Sequence, residues 1–292
     1  MSVADLGRYA MAHPPSLEAL CQTLHADGEV VLLAGGTDFL VEVSQSGVRQ
    51  GPLPLVVDVS RMPELRGISW DGRTLRIGAA ATYLEIARHP AVRERAPLLE
   101  RMTVDVGGPT IQARGTLGGN LATASPAADG VCAIAAFDPV IEVASVRGRR
   151  RIAMKDLQTG YKKSTRAKDE VIVGVELEPP PLGSPWIWRK VGTRLAQAIS
   201  KVALAAVAEV AGGRVTRFGA AMASVAPVTA LMPALRALVL STPLGALDGA
   251  AVDAAVESDV APIDDVRSTR SYRVHCAKAV VRGYLRDLGA SC

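Results

Sequence analysis

A chain of 292 residues with 49% hydrophobic and 21% charged side chains can bury a sizeable core and has room for two domains. Its 33 Lys and Arg against 29 Asp and Glu give a formal net charge of +4 spread along the sequence, too diffuse an excess to make nucleic-acid binding its main work. No apolar segment follows a basic stretch between Met1 and Pro14. The most apolar run, 202–211, carries Glu209 and reaches about half the length of a membrane span, so the expectation is a soluble, cytoplasmic protein.

In chain order, Ser16 caps a helix over 16–24 whose apolar residues Leu17, Leu20, Cys21 and Leu24 recur at helical spacing. Val30 to Leu33 forms a short β-branched strand that runs into Ala34-Gly35-Gly36-Thr37-Asp38, and Phe39 to Val43 resumes as helix or strand. Leu55 to Val59 and Thr74 to Ile77 are further strands, the second entered from an Asp71-Gly72 turn. Thr82 opens a helix through Ala87, with Glu85 three residues on completing a capping box. Ala96 to Met102 is helical. From Gly107 to Gly130 the chain is too rich in Gly, Thr, Ser and Asn for a helix interior and reads as a long loop, followed by a short apolar run, Ala133 to Phe137.

Val140 to Val146 and Arg151 to Met154 pair as a hairpin, with Arg147, Arg149, Arg150 and Arg151 around Gly148 as its solvated tip. Val171 to Leu177 is a strand. Pro179-Pro180-Pro181, with Gly183 and Pro185, cannot extend a sheet ladder and stiffens the backbone, which places a linker there and domains at 1–178 and 182–292. Beyond it, 202–211 and 215–225 form long strands joined by Gly212-Gly213. Helices are expected over 233–240, 251–256 and 272–288.

Cys21, Cys132, Cys276 and Cys292 fall in no C-x-x-C spacing, and His13, His25, His89 and His275 are scattered. Free thiols in a reducing compartment, no iron–sulfur cluster and no metal site are expected. There is no G-x-G-x-x-G behind a strand and no G-x-x-x-x-G-K-[ST], so neither a Rossmann nor a P-loop site has support.

Two glycine-rich segments carry the candidate chemistry. At Leu33-Ala34-Gly35-Gly36-Thr37-Asp38-Phe39 a strand ends in two glycines, which lets backbone approach a ligand, and successive amides can form a nest for phosphate with Thr37 adding a hydroxyl. Asp38 repels phosphate and is assigned to capping or to holding the loop amides. A plain strand-to-helix turn would use the same residues. In the second segment, Arg114 to Asp129, the pair Gly118-Gly119 sits among Thr116, Leu117 and Asn120. Asn120 can donate to phosphate or ribityl oxygens, and Asp129 can accept from a sugar hydroxyl. No acid, base or nucleophile constellation appears, so no catalytic side chain is assigned.

Together, Ala34–Phe39 and Arg114–Asp129 resemble the FAD-binding, medium subunit of the xanthine dehydrogenase and carbon monoxide dehydrogenase family of molybdenum hydroxylases, whose loops look like A-G-G-T-D-L and R-x-T-I-G-G-N-L-A-x-A-x-P-A-A-D. Gly160-Tyr161-Lys162-Lys163-Ser164, Arg189 to Arg194 with Ala198 to Val202, and Asp264 to Thr269 with Tyr272-Arg273 extend the similarity along the chain. The resemblance implies an α+β fold: a two-subdomain (PCMH-type) FAD-binding domain followed by a smaller domain with an antiparallel sheet and helices.

It also implies one FAD, with its diphosphate on 35–38 and 116–120, Asp129 at the ribityl–ribose side, Ile172 against the flavin ring and Lys190 reaching the flavin region. Lys190 would favour the reduced flavin's anionic edge; a bland reading makes it an exposed lysine at a strand end. The implied partners are a large molybdenum-cofactor subunit and a small [2Fe–2S] subunit, with NAD⁺, oxygen or another external acceptor. One departure is Gln112-Ala113-Arg114, where the family often has R-N-R, so contacts from the first two positions do not carry over. Two other readings stay open: a stand-alone flavoenzyme on a similar fold, and a scaffold without cofactor.

Overall fold

The computed structural model of the protein describes residues 6–26, 28–45 and 52–292. Its first part contains β1 (Met11–Ala12), α1 (Leu17–His25), β2 (Val30–Leu33), α2 (Phe39–Gln45), β3 (Leu55–Asp58), β4 (Ile68–Trp70) and β5 (Leu75–Gly78). Short helices follow: α3 (Tyr83–Arg88), α4 (Pro90–Arg95), α5 (Pro97–Thr103), α6 (Pro109–Gln112), α7 (Leu117–Thr123) and α8 (Asp129–Ala135). Next come β6 (Val140–Ser145), β7 (Gly148–Ala153), α9 (Met154–Leu157), β8 (Gln158–Gly160), β9 (Lys163–Ser164) and β10 (Val171–Leu177). The last part holds β11 (Trp186–Val191), β12 (Val202–Ala211), β13 (Arg214–Ala223), α10 (Pro233–Ser241), α11 (Gly249–Asp259) and α12 (Arg270–Asp287).

Local chemistry sets several boundaries. Ser16 Oγ accepts the Ala19 amide at 3.2 Å to start α1. Thr82 accepts from Glu85 N at 3.2 Å while Glu85 Oε2 accepts from Thr82 N at 2.8 Å, the reciprocal capping box that opens α3. Proline stands in the first turn of α4, α5, α6 and α10, where its missing N–H costs nothing and its fixed φ suits the helix.

Three sheets carry the molecule. β1, β3 and β2 pair parallel, with β3 central. A five-stranded antiparallel sheet runs β4-β5-β10-β6-β7, and a three-stranded antiparallel sheet runs β11-β12-β13; β8 and β9 form a small ribbon. A register shift between Ile172 and Gly174 decides which way the ends of β10 face. Before it, Val171 and Val173 join the core around α1 and the parallel sheet, while Ile172 faces the other way. After it, Val175 and Leu177 lie on the Ile172 side, the change of phase an inserted residue produces.

β12 explains its own unbroken apolar run. Ala203, Ala205 and Val207 pack with the helices of the first part, whereas Val202, Leu204, Ala206 and Ala208 pack under α10, α11 and α12, so both faces are buried. Gly219 on β13 lets that strand meet α8, because a Cβ there would overlap the Ala136 carbonyl.

Some expectations change. The segment 107–130 is not one long loop: α6 and α7 lie within it and α8 starts at its end. The apolar run 133–137 belongs to α8 and its C-terminal turn. The arginine cluster is exposed around the β6–β7 turn, as expected, but β7 already begins at Gly148 and each arginine also meets an acid: Arg147 with Asp169, Arg149 with Glu142 at 2.7 Å, Arg150 with Glu170 at 2.6 Å and Arg151 with Glu176 at 2.6 Å.

Candidate functional site

β2 delivers its C-terminal end to the site, held to β3 by the Val59 amide donating to Leu33 O at 2.9 Å. The chain then turns through Gly36 at φ +76°, a conformation that favours glycine, and enters α2. The carbonyls of Gly36 and Asp38 accept from Leu40 N at 3.0 Å and Glu42 N at 2.9 Å. Among the described residues, the amides of Gly35, Gly36, Thr37 and Asp38 donate to no protein acceptor. Four successive free N–H groups at the mouth of a short helix form the concave, partly positive surface that suits an anion.

The second glycine segment is built differently. Leu117 N donates to Ala81 O at 3.2 Å and Gly118 N to Ala79 O at 2.8 Å; Asn120 N donates to Thr116 O at 3.1 Å. Gly119 N donates to Thr116 Oγ1 at 3.1 Å, the N-cap of α7. Gly118 is required because a Cβ there would stand 2.5 Å from that of Ala79. The amides of this segment are therefore committed to the protein, so it forms no second amide nest. What it can offer a ligand is side chains and close backbone approach. Asn120 Oδ1 accepts the Val131 amide at 3.1 Å, which leaves its NH₂ group as the donor.

The two segments touch. A Cβ on Gly35 would overlap the Arg114 carbonyl, so backbone meets backbone there. On the other side Thr123 Oγ1 donates to Asp38 Oδ2 at 2.8 Å. Asp38 thus ties α7 to the first loop.

Between them lies a cavity of about 530 Å³, within the usual range of small-molecule sites. Leu33, Ala34, Gly35, Gly36, Thr37, Asp38, Phe39, Thr116, Gly118, Gly119, Asn120 and Ile172 line it. Leu117 does not; it is buried beneath, in the core.

Asp129 and Lys190 also stand off the cavity, and they pair with each other. Lys190 Nζ lies 2.6 Å from Asp129 Oδ2, with the two side chains 8% and 12% exposed. The same ammonium donates to Asp105 O at 2.9 Å, and Trp188 Nε1 donates to Asp105 Oδ2 at 2.8 Å. Lys190 is therefore not the exposed strand-end lysine of the bland reading; β11 uses it to grip the helical layer. Burial pushes the Asp129 carboxyl up to about 6, against the opposing pull of Lys190. Asp129 Oδ1 is buried with no hydrogen-bond partner.

Residues not foreseen complete the lining: Tyr83, Val106, Ile111, Arg166, Lys168 and Glu170 among them. Arg166 Nη1 donates to Ala167 O at 3.1 Å and Glu170 O at 2.5 Å. Burial lowers its pKa, and no carboxylate bonds to it, since the Glu170 carboxylate is clamped by Arg150 at 2.6 and 2.8 Å. Tyr83 follows the visible capping residue Thr82, so an aromatic facing the second segment was available to inference. Nothing in the local pattern marks Arg166. Among the described residues no group of three or more potential metal ligands is found, and no helix is long and apolar enough to cross a membrane.

Residues 7–180 match the family model described as the FAD binding domain in molybdopterin dehydrogenase, and residues 188–288 match the CO dehydrogenase flavoprotein C-terminal domain. The chain is 32% identical to the nicotinate dehydrogenase FAD-subunit of Eubacterium barkeri, over 65% of this chain and 64% of that one. It is 28% identical to a putative xanthine dehydrogenase FAD-binding subunit of Escherichia coli, over 97% of each chain. Among solved structures, a chain of carbon monoxide dehydrogenase from Hydrogenophaga pseudoflava superposes with a TM-score of 0.89 at 25% identity, covering 96% of both chains.

Proposed function

The chain belongs to the family of FAD-binding subunits of molybdopterin dehydrogenases, and on that premise we propose that it relays electrons from [2Fe–2S] clusters of a partner subunit, through its FAD, to an external acceptor such as NAD⁺. A large partner would carry the molybdenum cofactor and bind the substrate, and a small partner would carry the clusters. The assembly would work in the cytoplasm. The likeness to medium and FAD-binding subunits over nearly the whole chain supports this arrangement. We place the FAD-binding domain at 1–178 and the second domain at 182–292, joined through Pro179-Pro180-Pro181.

The residues present fit FAD. The observation that carries the reading is the set of four unpartnered amides, Gly35 to Asp38, on a cavity that Thr116, Gly119 and Asn120 also line. That arrangement would hold the diphosphate with main-chain donors and two neutral side chains, without a P-loop lysine. Ile172, at the bulge of β10, would offer an apolar wall to the ring system. Asp129 and Lys190, which the resemblance assigns to the sugar-alcohol side and the flavin region, stand behind this cavity wall; Lys190 would keep the Asp129 carboxylate charged and place a buried cation in the layer next to the site. FAD supplies the redox chemistry; the protein supplies binding, orientation and field. No side chain is asked to act as acid, base or nucleophile.

Titration of the purified chain with FAD and with riboflavin, followed by flavin fluorescence, tests this. FAD should bind at least 100-fold more tightly, on the order of two or more charge-assisted hydrogen bonds to the diphosphate. Equal affinity for the two would remove the diphosphate nest from the account.

A further inference from the structure

Two aliphatic side chains stand wholly in solvent, Leu195 and Val266, each 99% exposed. Neither sits on a slack loop. Arg194 folds back along its own turn, Nε donating to Ala196 O at 3.0 Å and to Gln197 O at 3.1 Å, which leaves Leu195 at the tip. In the other turn Asp265 Oδ1 accepts from the amides of Arg267 at 2.9 Å and Ser268 at 3.1 Å, and Asp264 Oδ1 accepts from Arg270 N at 2.6 Å. Both turns are tied internally with the aliphatic residue held outward, which gains a lone chain nothing. A knob fixed in this way suits the pocket of a partner, because little freedom is left to lose on docking.

The two turns share one face. Buried Arg273 joins their ends: Nη1 donates to Lys201 O at 2.7 Å and Ser224 O at 2.8 Å, and Nη2 to Asp265 Oδ1 at 2.7 Å. Lys201 Nζ lies 5.0 Å from the Tyr272 ring centroid, and Ile199, Ile263 and Tyr272 are exposed around this joint. The face reaches the edge of the cavity that the glycine loops enclose. Gln197 N donates to Gly107 O at 3.3 Å, and its side chain packs on Gly108, between two residues that line the cavity, Val106 and Ile111.

Its charge is one-sided. Asp264 and Asp265 are spent on backbone amides and on Arg273, whereas Arg194, Lys201 and Arg270 meet no carboxylate among the described residues. The partner that fits is therefore negative where it docks, and it must come close to the cavity. A [2Fe–2S] cluster bound by four thiolates carries net negative charge, and the subunit that holds it is the one whose electrons FAD would receive. The substrate-binding subunit has no such reason to approach this edge.

We propose that Leu195 and Val266 anchor the small [2Fe–2S] subunit on this face, with Arg194, Lys201 and Arg270 as its cationic rim. The assignment rests on the chain working as the electron-transfer subunit of the assembly described above.

The test uses the complex purified from its own cells through a tag on this chain, with iron, molybdenum and FAD measured per chain. Leu195→Glu combined with Val266→Glu should lower the retained iron by about tenfold or more, since two apolar anchors become charges. FAD per chain should stay at the wild-type value. Leu182→Glu, which alters an exposed leucine of the proline-rich linker, should retain iron as wild type does. In a second measurement, a photo-crosslinking residue placed at position 266 of the intact complex should join this chain to the one carrying the cluster cysteines. Unchanged iron in the double variant overturns the proposal, as does a cross-link to the molybdenum-bearing chain or to a second copy of this chain. Should the wild-type chain purify without iron and molybdenum, the failure lies in the assembly itself, and the proposal falls with it.

Discussion

Lys190→Met gives the sharpest stability prediction, because it strips Asp129 of the cation that pairs with it. The wild-type pair is buried, with Nζ and Oδ2 2.6 Å apart, and burial already raises the Asp129 carboxyl to about 6. Relative to the ordinary aspartate value that rise amounts to about 3 kcal/mol of ionisation penalty carried by the folded state. The folded chain binds this proton more tightly than the unfolded one. The stability Asp129 contributes is therefore full below about pH 4, declines between about 4 and 6, and is gone above that. With methionine in place of Lys190, an ionised carboxylate would be left buried and unpaired at pH 8, a change worth about 3–5 kcal/mol. At pH 5 Asp129 is mostly protonated in both proteins, and the loss should shrink to about 1 kcal/mol, the scale of a single hydrogen bond. Urea unfolding followed by tryptophan emission, which includes Trp188 on the same strand, measures both values. A loss of equal size at pH 5 and pH 8 would refute the electrostatic account of the pair.

Further outcomes follow from other contacts. Gly35→Ala should abolish FAD retention because its Cβ overlaps the Arg114 carbonyl, whereas Gly245→Ala, with nothing within 4 Å, should retain FAD as wild type does; absorbance of the gel-filtered proteins decides it. Thr82→Ala removes one half of the α3 capping box and should cost about 1 kcal/mol in thermal or urea unfolding. Arg166→Gln takes a half-buried cation from the cavity wall, so FAD affinity should fall about tenfold at low salt and the difference should narrow as salt is raised. A salt-independent difference would assign Arg166 to packing.

Much of the architecture was legible where periodicity or a cap is local. The strand 171–177 and the hairpin of 202–211 with its Gly-Gly turn follow directly from residue pattern, as do the caps at Ser16 and Thr82. What stayed hidden depends on tertiary contact. Helix α7 contains Gly118 and Gly119 and has poor intrinsic propensity; it stands on the Thr116 cap and on backbone bonds to Ala79 and Ala81, which no local window reveals. The arginines around Gly148 are exposed as read, but their ion pairs stayed hidden because the acids, Glu142, Asp169, Glu170 and Glu176, are distributed over other strands and loops.

The candidate site divides the same way. The first glycine loop announces its function, since two glycines after a strand free consecutive amides whatever lies around them. The second, with the same glycine pair, does not: its amides are taken by the protein, and its side chains remain for a ligand. Lys190 and Asp129 are 61 residues apart, and neither carries a mark of the other. Tyr83 and Arg166 enter only because the fold brings them to one cavity.

A crystal structure of the chain grown with FAD tests the central claim most directly. Both phosphates should lie within hydrogen-bond distance of the amides of Gly35 to Asp38, facing Thr116 and Asn120. Those four amides found free of the cofactor, with FAD seated elsewhere or the cavity closed, would contradict the account.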